Sequence, residues 1–219
     1  MTITSSTRWW WVRHAPVTAN NGRMYGASDP PANLDDEESF ASLAQILPAG
    51  AVWVTSHLRR ARDTASSIRA RGLDGEVPFA EEAFGEQCFG EWQGMLYSEI
   101  AELEDKPRHR FWFTTPEHCP PGGETYLDVM ARVKAGVDRI SAAHAGRDII
   151  AVAHGGSIRA AVAHALDLDA EGALTLLFEN LSVTRLDRIE HSDRSMAWQV
   201  QTINCPARSR SQAKSGSLA

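Results

Sequence analysis

"WWWVRHAPVTAN" (residues 9–20) sets three tryptophans and a valine directly before an Arg-His pair, and proline then breaks the run at Pro16. Aromatic and β-branched residues in a short run bounded by a breaker read as a buried strand. Two meanings compete for Arg13 and His14: polar residues that merely follow a strand, or side chains that the strand delivers to a reaction centre. The rest of the chain decides between them.

Two more segments have the same build, "AVWVTS" (51–56) and "DIIAVAH" (148–154). Helical spacing lies between the strands. Phe40, Leu43, Ala44 and Leu47 recur at i, i+3, i+4, i+7, and Ala61, Ala65 and Ile68 follow the second strand. Tyr126, Met130, Val133, Val137 and Ile140 form a long apolar stripe that opens on a Thr125/Asp128 capping box. Ile158, Ala161, Val162 and Ala165 continue from "HGG", and "SVTRLDRI" and "AWQVQTI" read as closing strands around a polar turn at 191–195. Strands alternating with helices predict a three-layer α/β sandwich, a mostly parallel sheet flanked by helices. Residues 1–205 read as a single domain with an inserted helical lid at about 95–122, and 206–219 as a disordered tail. Within the lid, "RHRFWF" (108–113) reads as an amphipathic helix, or as an aromatic and cationic wall over a substrate. Trp9, Trp10 and Trp11 read as packing residues on both faces of their strand.

Composition excludes several classes. The 219 residues are 43% hydrophobic and 23% charged, as in ordinary globular proteins. No apolar run approaches the ~20 residues needed to span a bilayer, and the N-terminus lacks the pattern of a signal peptide, so no membrane association is expected. Cys88, Cys119 and Cys205 are widely spaced without a CxxC pair, which fits a reducing cytoplasm and argues against a disulfide framework or structural zinc. The net charge is −6, and the three cationic residues of the tail (Arg208, Arg210, Lys214) leave the body near −9. So acidic a body is a poor nucleic-acid binder, and any anionic ligand needs a local cationic cluster.

Such a cluster is available. Ligands of α/β sheets bind beyond the carboxyl ends of the strands. The first three strands end in "RHAP", "TSHLRR" and "HGG", bringing Arg13, His14, Arg60 and His154 to one edge with Arg59 and Arg62 nearby. Each residue alone is more often a solvated loop side chain. Together they require an anion, and the bare amides of "HGG" at a helix N-terminus favour one as well. The anion that fits is phosphate.

Five ordered motifs carry a resemblance: "VRHAPVTAN" (12–20), "TSHLRRARDTA" (55–65), "FGEQCFGEWQG" (84–94), "PPGGETYLDVMARV" (120–133) and "AVAHGGSIRA" (151–160), with "NLSVTRL" (180–186) closing. The chain resembles the histidine phosphatase superfamily, in its phosphoglycerate mutase-like branch, along most of its length. The resemblance implies a phosphoglycerate mutase-like fold and His14 as a nucleophile that becomes phosphohistidine. It implies that Arg13, Arg60 and His154 clamp the phosphoryl oxygens, with Asn20 and the Gly155 amide assisting and Arg23 near the substrate. Glu86 would protonate the leaving oxygen and later activate water. No cofactor and no metal are implied; the partner is a small phosphorylated metabolite, and a homodimer is left open.

Ala15, Pro16 and Val17 depart from the family's pattern, which places glycine after the histidine and often a hydroxyl at the third position. Ala15 is a modest change if its φ is negative, whereas Val17 removes one phosphate contact. Hydrolysis of a phosphomonoester is the expected activity, and "AN", "GR", "YG" and "GGE" look most like the α-ribazole-phosphate phosphatase group. A mutase is the nearest alternative, although mutases of this branch carry a longer insertion before the "PPGGE" motif. A non-catalytic phospho-ligand sensor is an alternative of another class. An esterase reading of "HGGS" fails for want of a G-x-S-x-G elbow. His57, His118, His144, His164 and His191 lack ligand spacing and read as structural, and Glu124 as ordering its loop.

Overall fold

Side chains alternate across β1 (Ile3–Arg13), and that alternation divides the protein into its layers. Trp9 and Trp11 face one side, stacked on each other at 5.2 Å with Phe84 edge-on to both. Trp10 and Val12 face the other. The computed structural model describes residues 2–103 and 106–208. It places β1 inside a six-stranded sheet of order β3-β2-β4-β1-β5-β6. β2 (Val52–Ser56), β3 (Phe79–Glu81) and β4 (Asp148–Ala153) run parallel with β1. β5 (Ser182–His191) is antiparallel to β1 and to β6 (Met196–Pro206). The predicted α/β sandwich and mostly parallel sheet are thus present.

Helices cover both faces. Over Trp9 and Trp11 lie α4 (Tyr126–Ala143), α5 (Gly155–Leu166) and α6 (Ala170–Leu174). The expected Thr125/Asp128 capping box starts α4, and Tyr126, Val129, Val133, Val137 and Ile140 are its buried stripe. Against Val12 and Trp53 pack α1 (Glu37–Ile46), capped by Asp36, and α2 (Arg59–Arg69). Two of the sheet's tryptophan N–H groups find acceptors: Trp9 donates to Ser141 Oγ at 2.9 Å and Trp10 to Asp148 Oδ1 at 2.9 Å, whereas those of Trp11 and Trp53 are buried without a partner.

Two expectations need correction. Among the described residues of the lid only α3 (Tyr97–Glu102) is helical, and residues 108–113 are irregular. Lys106 Nζ donates to the Phe113 carbonyl at 2.9 Å and Thr114 Oγ1 to the Pro107 carbonyl at 3.1 Å, which closes the segment into a loop. The closed loop keeps the consecutive rings of Trp112 and Phe113 in contact at 4.9 Å, where a helix would turn them ~100° apart. Pro206 and Arg208, expected in a disordered tail, are tied to the fold. β6 pairs as far as Pro206, and Arg208 joins Asp36 and Glu38 at the start of α1. Residues 209–219 lie outside the described residues. Among the described residues no helix is long and apolar enough to cross a membrane.

Candidate active site

The site is assembled where parallel neighbours β1 and β4 end together. The His14 amide extends the ladder by donating to the Ala153 carbonyl at 2.9 Å, so His14 and His154 emerge side by side with ring centroids 5.0 Å apart. Residues 180–181 brace this end from β5: Leu181 N–H donates to the Arg13 carbonyl at 3.0 Å and Asn180 Nδ2 to the His14 carbonyl at 2.7 Å. Ala15 is buried, and its amide donates to Thr64 Oγ1 at 2.9 Å. It is absent from the residues with positive φ, so alanine here introduces no backbone strain.

Both imidazoles are almost fully buried. Burial, reinforced by the Arg60 and Arg13 charges, pushes each well below the ordinary histidine value and keeps the rings neutral. Their partners then decide where each single proton sits. His14 Nδ1 lies 2.6 Å from the Ala15 carbonyl, which can only accept, so Nδ1 holds the hydrogen and Nε2 is a bare lone pair. His154 Nδ1 accepts from Arg60 Nε at 3.2 Å, which can only donate, so the His154 hydrogen is on Nε2. Neither Nε2 has a partner. One nucleophilic nitrogen and one hydrogen-bond donor therefore face the same buried space.

Arg60 is fully buried, with its fork on the Ser28 carbonyl (2.6 Å) and the Gly26 carbonyl (2.7 Å) and the Tyr25 ring 5.0 Å from its guanidinium carbon. Arg13 donates through Nη1 to the Phe178 carbonyl, while its buried Nε is unpartnered. Gly155 opens α5 beside it: a Cβ there would stand 3.6 Å from Arg13 Nε. Unpartnered buried donors on Arg13 and His154, next to a helix N-terminus, are costly unless an anion satisfies them.

Glu86 approaches the same helix end. Its Oε2 accepts from Gly156 N–H at 3.4 Å and its Oε1 from Gln87 N–H at 3.0 Å. A Cβ on Gly156 would meet Glu86 Oε1 at 2.3 Å, so glycine is what admits the carboxylate. The loop carrying Glu86 hangs on Arg132 of α4, which donates to the carbonyls of Ala83, Gly85 and Glu86 and pairs in a fork with Glu124. Glu124 also accepts from Cys88 N–H at 2.9 Å, so it orders this loop.

Asn20 and Arg23 stand further out. Asn20 Nδ2 donates to the Arg23 carbonyl at 3.1 Å. Arg23 is exposed and donates to the Gly94 carbonyl at 2.7 Å. Arg59 pairs with Asp63, and Arg62 is exposed. The structure therefore joins His14, Arg13, Arg60, His154, Glu86 and Gly155, and leaves Arg23, Arg59 and Arg62 apart.

A cavity of about 210 Å³ opens beside this cluster, with Arg13 and Glu86 as its only charged walls. Met24, Tyr25, Phe89, Tyr97, Trp112 and Phe113 supply most of the rest. Among the described residues no group of three or more His, Cys, Asp or Glu is placed to hold a metal ion.

The histidine phosphatase superfamily (branch 1) model matches residues 9–202, from the first strand to the last. The chain belongs to this superfamily. Two relatives match over part of their length. Bifunctional protein Rv2228c of Mycobacterium tuberculosis is 36% identical over 61% of this chain and 37% of its own. The 2,3-bisphosphoglycerate-dependent phosphoglycerate mutase 2 of Gloeobacter violaceus is 34% identical over 55% and 57%. The chain thus spans little more than a third of the first of these and just over half of the second. Among solved structures, mycobacterial glucosyl-3-phosphoglycerate phosphatase Rv2419c aligns with TM-score 0.78 and 29% identity over 91% of this chain and 99% of that one. The α-ribazole phosphatase of Shigella flexneri (TM-score 0.74, 22% identity, 91% and 96% covered) shares the fold.

Sequence reasoning missed Thr64, Arg132 and Asn180. All three lay inside quoted motifs, but each acts on backbone atoms distant in the chain, and that has no local signature. Arg159 was missed too: it is buried, bonded through Nε to the Leu176 carbonyl, and stacked 4.5 Å from the Trp112 ring.

Proposed function

We propose that this histidine phosphatase hydrolyses a small phosphomonoester through a phosphohistidine on His14, without a metal ion. The observation that carries the reading is the pair of unpartnered Nε2 atoms, lone pair on His14 and N–H on His154, beside the free Nε of Arg13. The His14 lone pair attacks phosphorus, forming the P–N bond as the ester P–O bond breaks. Arg13, Arg60, His154 and the first amides of α5 neutralise the phosphoryl oxygens, a role for which other phosphatases use metals. Protonated Glu86 gives its proton to the departing alkoxide, and the alcohol leaves. Glu86, now a carboxylate, takes a proton from water as its oxygen attacks phosphorus; the P–N bond breaks, phosphate departs, and His14 and protonated Glu86 are restored.

Likeness to the glucosyl-3-phosphoglycerate phosphatase, 29% identical over 91% of this chain, supports hydrolysis. α-Ribazole phosphate, the substrate that the sequence resemblance suggests, has an alcohol of more than one ring and is the less favoured candidate for a cavity of about 210 Å³. Three free cysteines fit action in the reducing cytoplasm. Brief exposure to a phosphate-labelled ester should leave an acid-labile, base-stable label on the protein that is absent from His14→Ala. Activity should survive exhaustive chelation and be inhibited by vanadate. Equal labelling of the variant, or loss on chelation reversed by a divalent metal, would overturn the reading.

A further inference from the structure

We propose that the site selects monophosphate esters of an uncharged alcohol about one ring in size, and that Trp112 and Phe113 enforce this by walling the leaving group off from nearby cations. The inference rests on the phosphatase reading and concerns what the alcohol is.

Size comes first. A dry apolar cavity of ~150 Å³ accommodates benzene. The space here is about 210 Å³ and open on one side, so its walls contact one ring and its substituents. Its walls are mostly aromatic, and Tyr97 lies flat on Phe113 with ring centroids 5.4 Å apart and planes 5° apart. Such faces favour a flat or apolar group.

Charge comes second. Among the described residues Arg13 is the only cation in the walls, and the phosphoryl group engages it. A second anionic group on the substrate would meet Glu86 and aromatic rings, with no cation to pair it. Cations exist close by, but each is withheld. Arg23 is turned to the Gly94 carbonyl, and Arg159 is buried against the Trp112 ring. A second cavity of about 200 Å³ is lined by Lys106, Arg108 and His109, and it shares two walls with the first: Trp112 and Phe113. The two rings are therefore a partition between an apolar chamber and a basic one. Closure of the 106–114 loop by Lys106 and Thr114 holds that partition in place.

The test compares binding and turnover. Phenylphosphonate and 3-phosphonopropionate, neither hydrolysable, are titrated by tryptophan fluorescence, and kcat/KM is measured for phenyl phosphate and 3-phosphoglycerate. The wild-type protein should favour the phenyl compound in both comparisons. Trp112→Ala should lower kcat/KM for phenyl phosphate about 10–100-fold and narrow or reverse the preference, because the basic chamber becomes accessible. Trp112→Phe, which keeps a ring, should retain it. Equal or tighter wild-type binding of the carboxylated phosphonate overturns the inference, as does an unchanged preference in a folded Trp112→Ala. Selective phenylphosphonate binding without turnover of any ester would instead leave this inference standing and sink the hydrolase reading.

Discussion

Two neutral imidazoles five ångströms apart, each with one committed nitrogen, carry a consequence beyond catalysis. Burial lowers the proton affinity of His14 and His154 in the folded state, with Arg60 and Arg13 adding to it. The unfolded chain therefore binds more protons than the folded one below pH ~6.5. The stability these residues contribute is complete above that pH and is lost as the pH falls toward their depressed folded values. Each contributes a slope of up to about 1.4 kcal/mol per pH unit in that window. Denaturant unfolding between pH 5 and 7 should show His14→Gln with a slope shallower by that amount; an unchanged slope would mean that His14 is not buried neutral. A second residue-scale prediction concerns Gly156. Alanine there is favoured by about 1 kcal/mol in a helix, but its methyl would displace the Glu86 carboxylate. Gly156→Ala should keep or raise the melting temperature while slowing phosphoenzyme formation from alkyl esters about 10²–10⁴-fold, with a much smaller loss for activated aryl esters, whose leaving groups need no proton. Equal losses for both ester types would remove Glu86 as the acid.

At the scale of elements, the strand tips were the legible part. "WWWVRH", "TSHLRR" and "AVAHGG" each pair a buried strand with polar residues just past its end, and parallel packing brings such ends together. What stayed hidden were the supports. Arg132 lies between the apolar positions of its helix, where spacing assigns it no role, yet it gathers three carbonyls and Glu124. The lid was misread because "RHRFWF" has helical polarity, whereas its geometry comes from ties between Lys106, Pro107, Phe113 and Thr114 that no spacing encodes. Arg132 is a positioning residue for Glu86. Arg132→Lys keeps the charge but cannot form the fork, so it should cost about 1–3 kcal/mol in stability. It should lower kcat for alkyl esters more than for aryl esters with KM little changed. A uniform loss across leaving groups would mark Arg132 as structural only.

Across the whole molecule, the layer order followed from the alternation of apolar strands and helices, while β3 and α6 went unseen because three and five residues are too short to show a period. The sheet order also has a consequence in time. β1 lies between β4 and β5, paired with residues 148–153 on one side and 182–191 on the other. A ribosome makes the strand that ends at Arg13 and His14 well over a hundred residues before either of its neighbours. Contacts so distant in sequence form slowly. Throughout that interval Trp9, Trp10, Trp11 and Val12 have no sheet to enter, and an unpaired apolar strand is a template for aggregation. Chaperone demand in the nascent chain should therefore concentrate on the strand that carries Arg13 and His14, and end when residues 182–191 clear the exit tunnel.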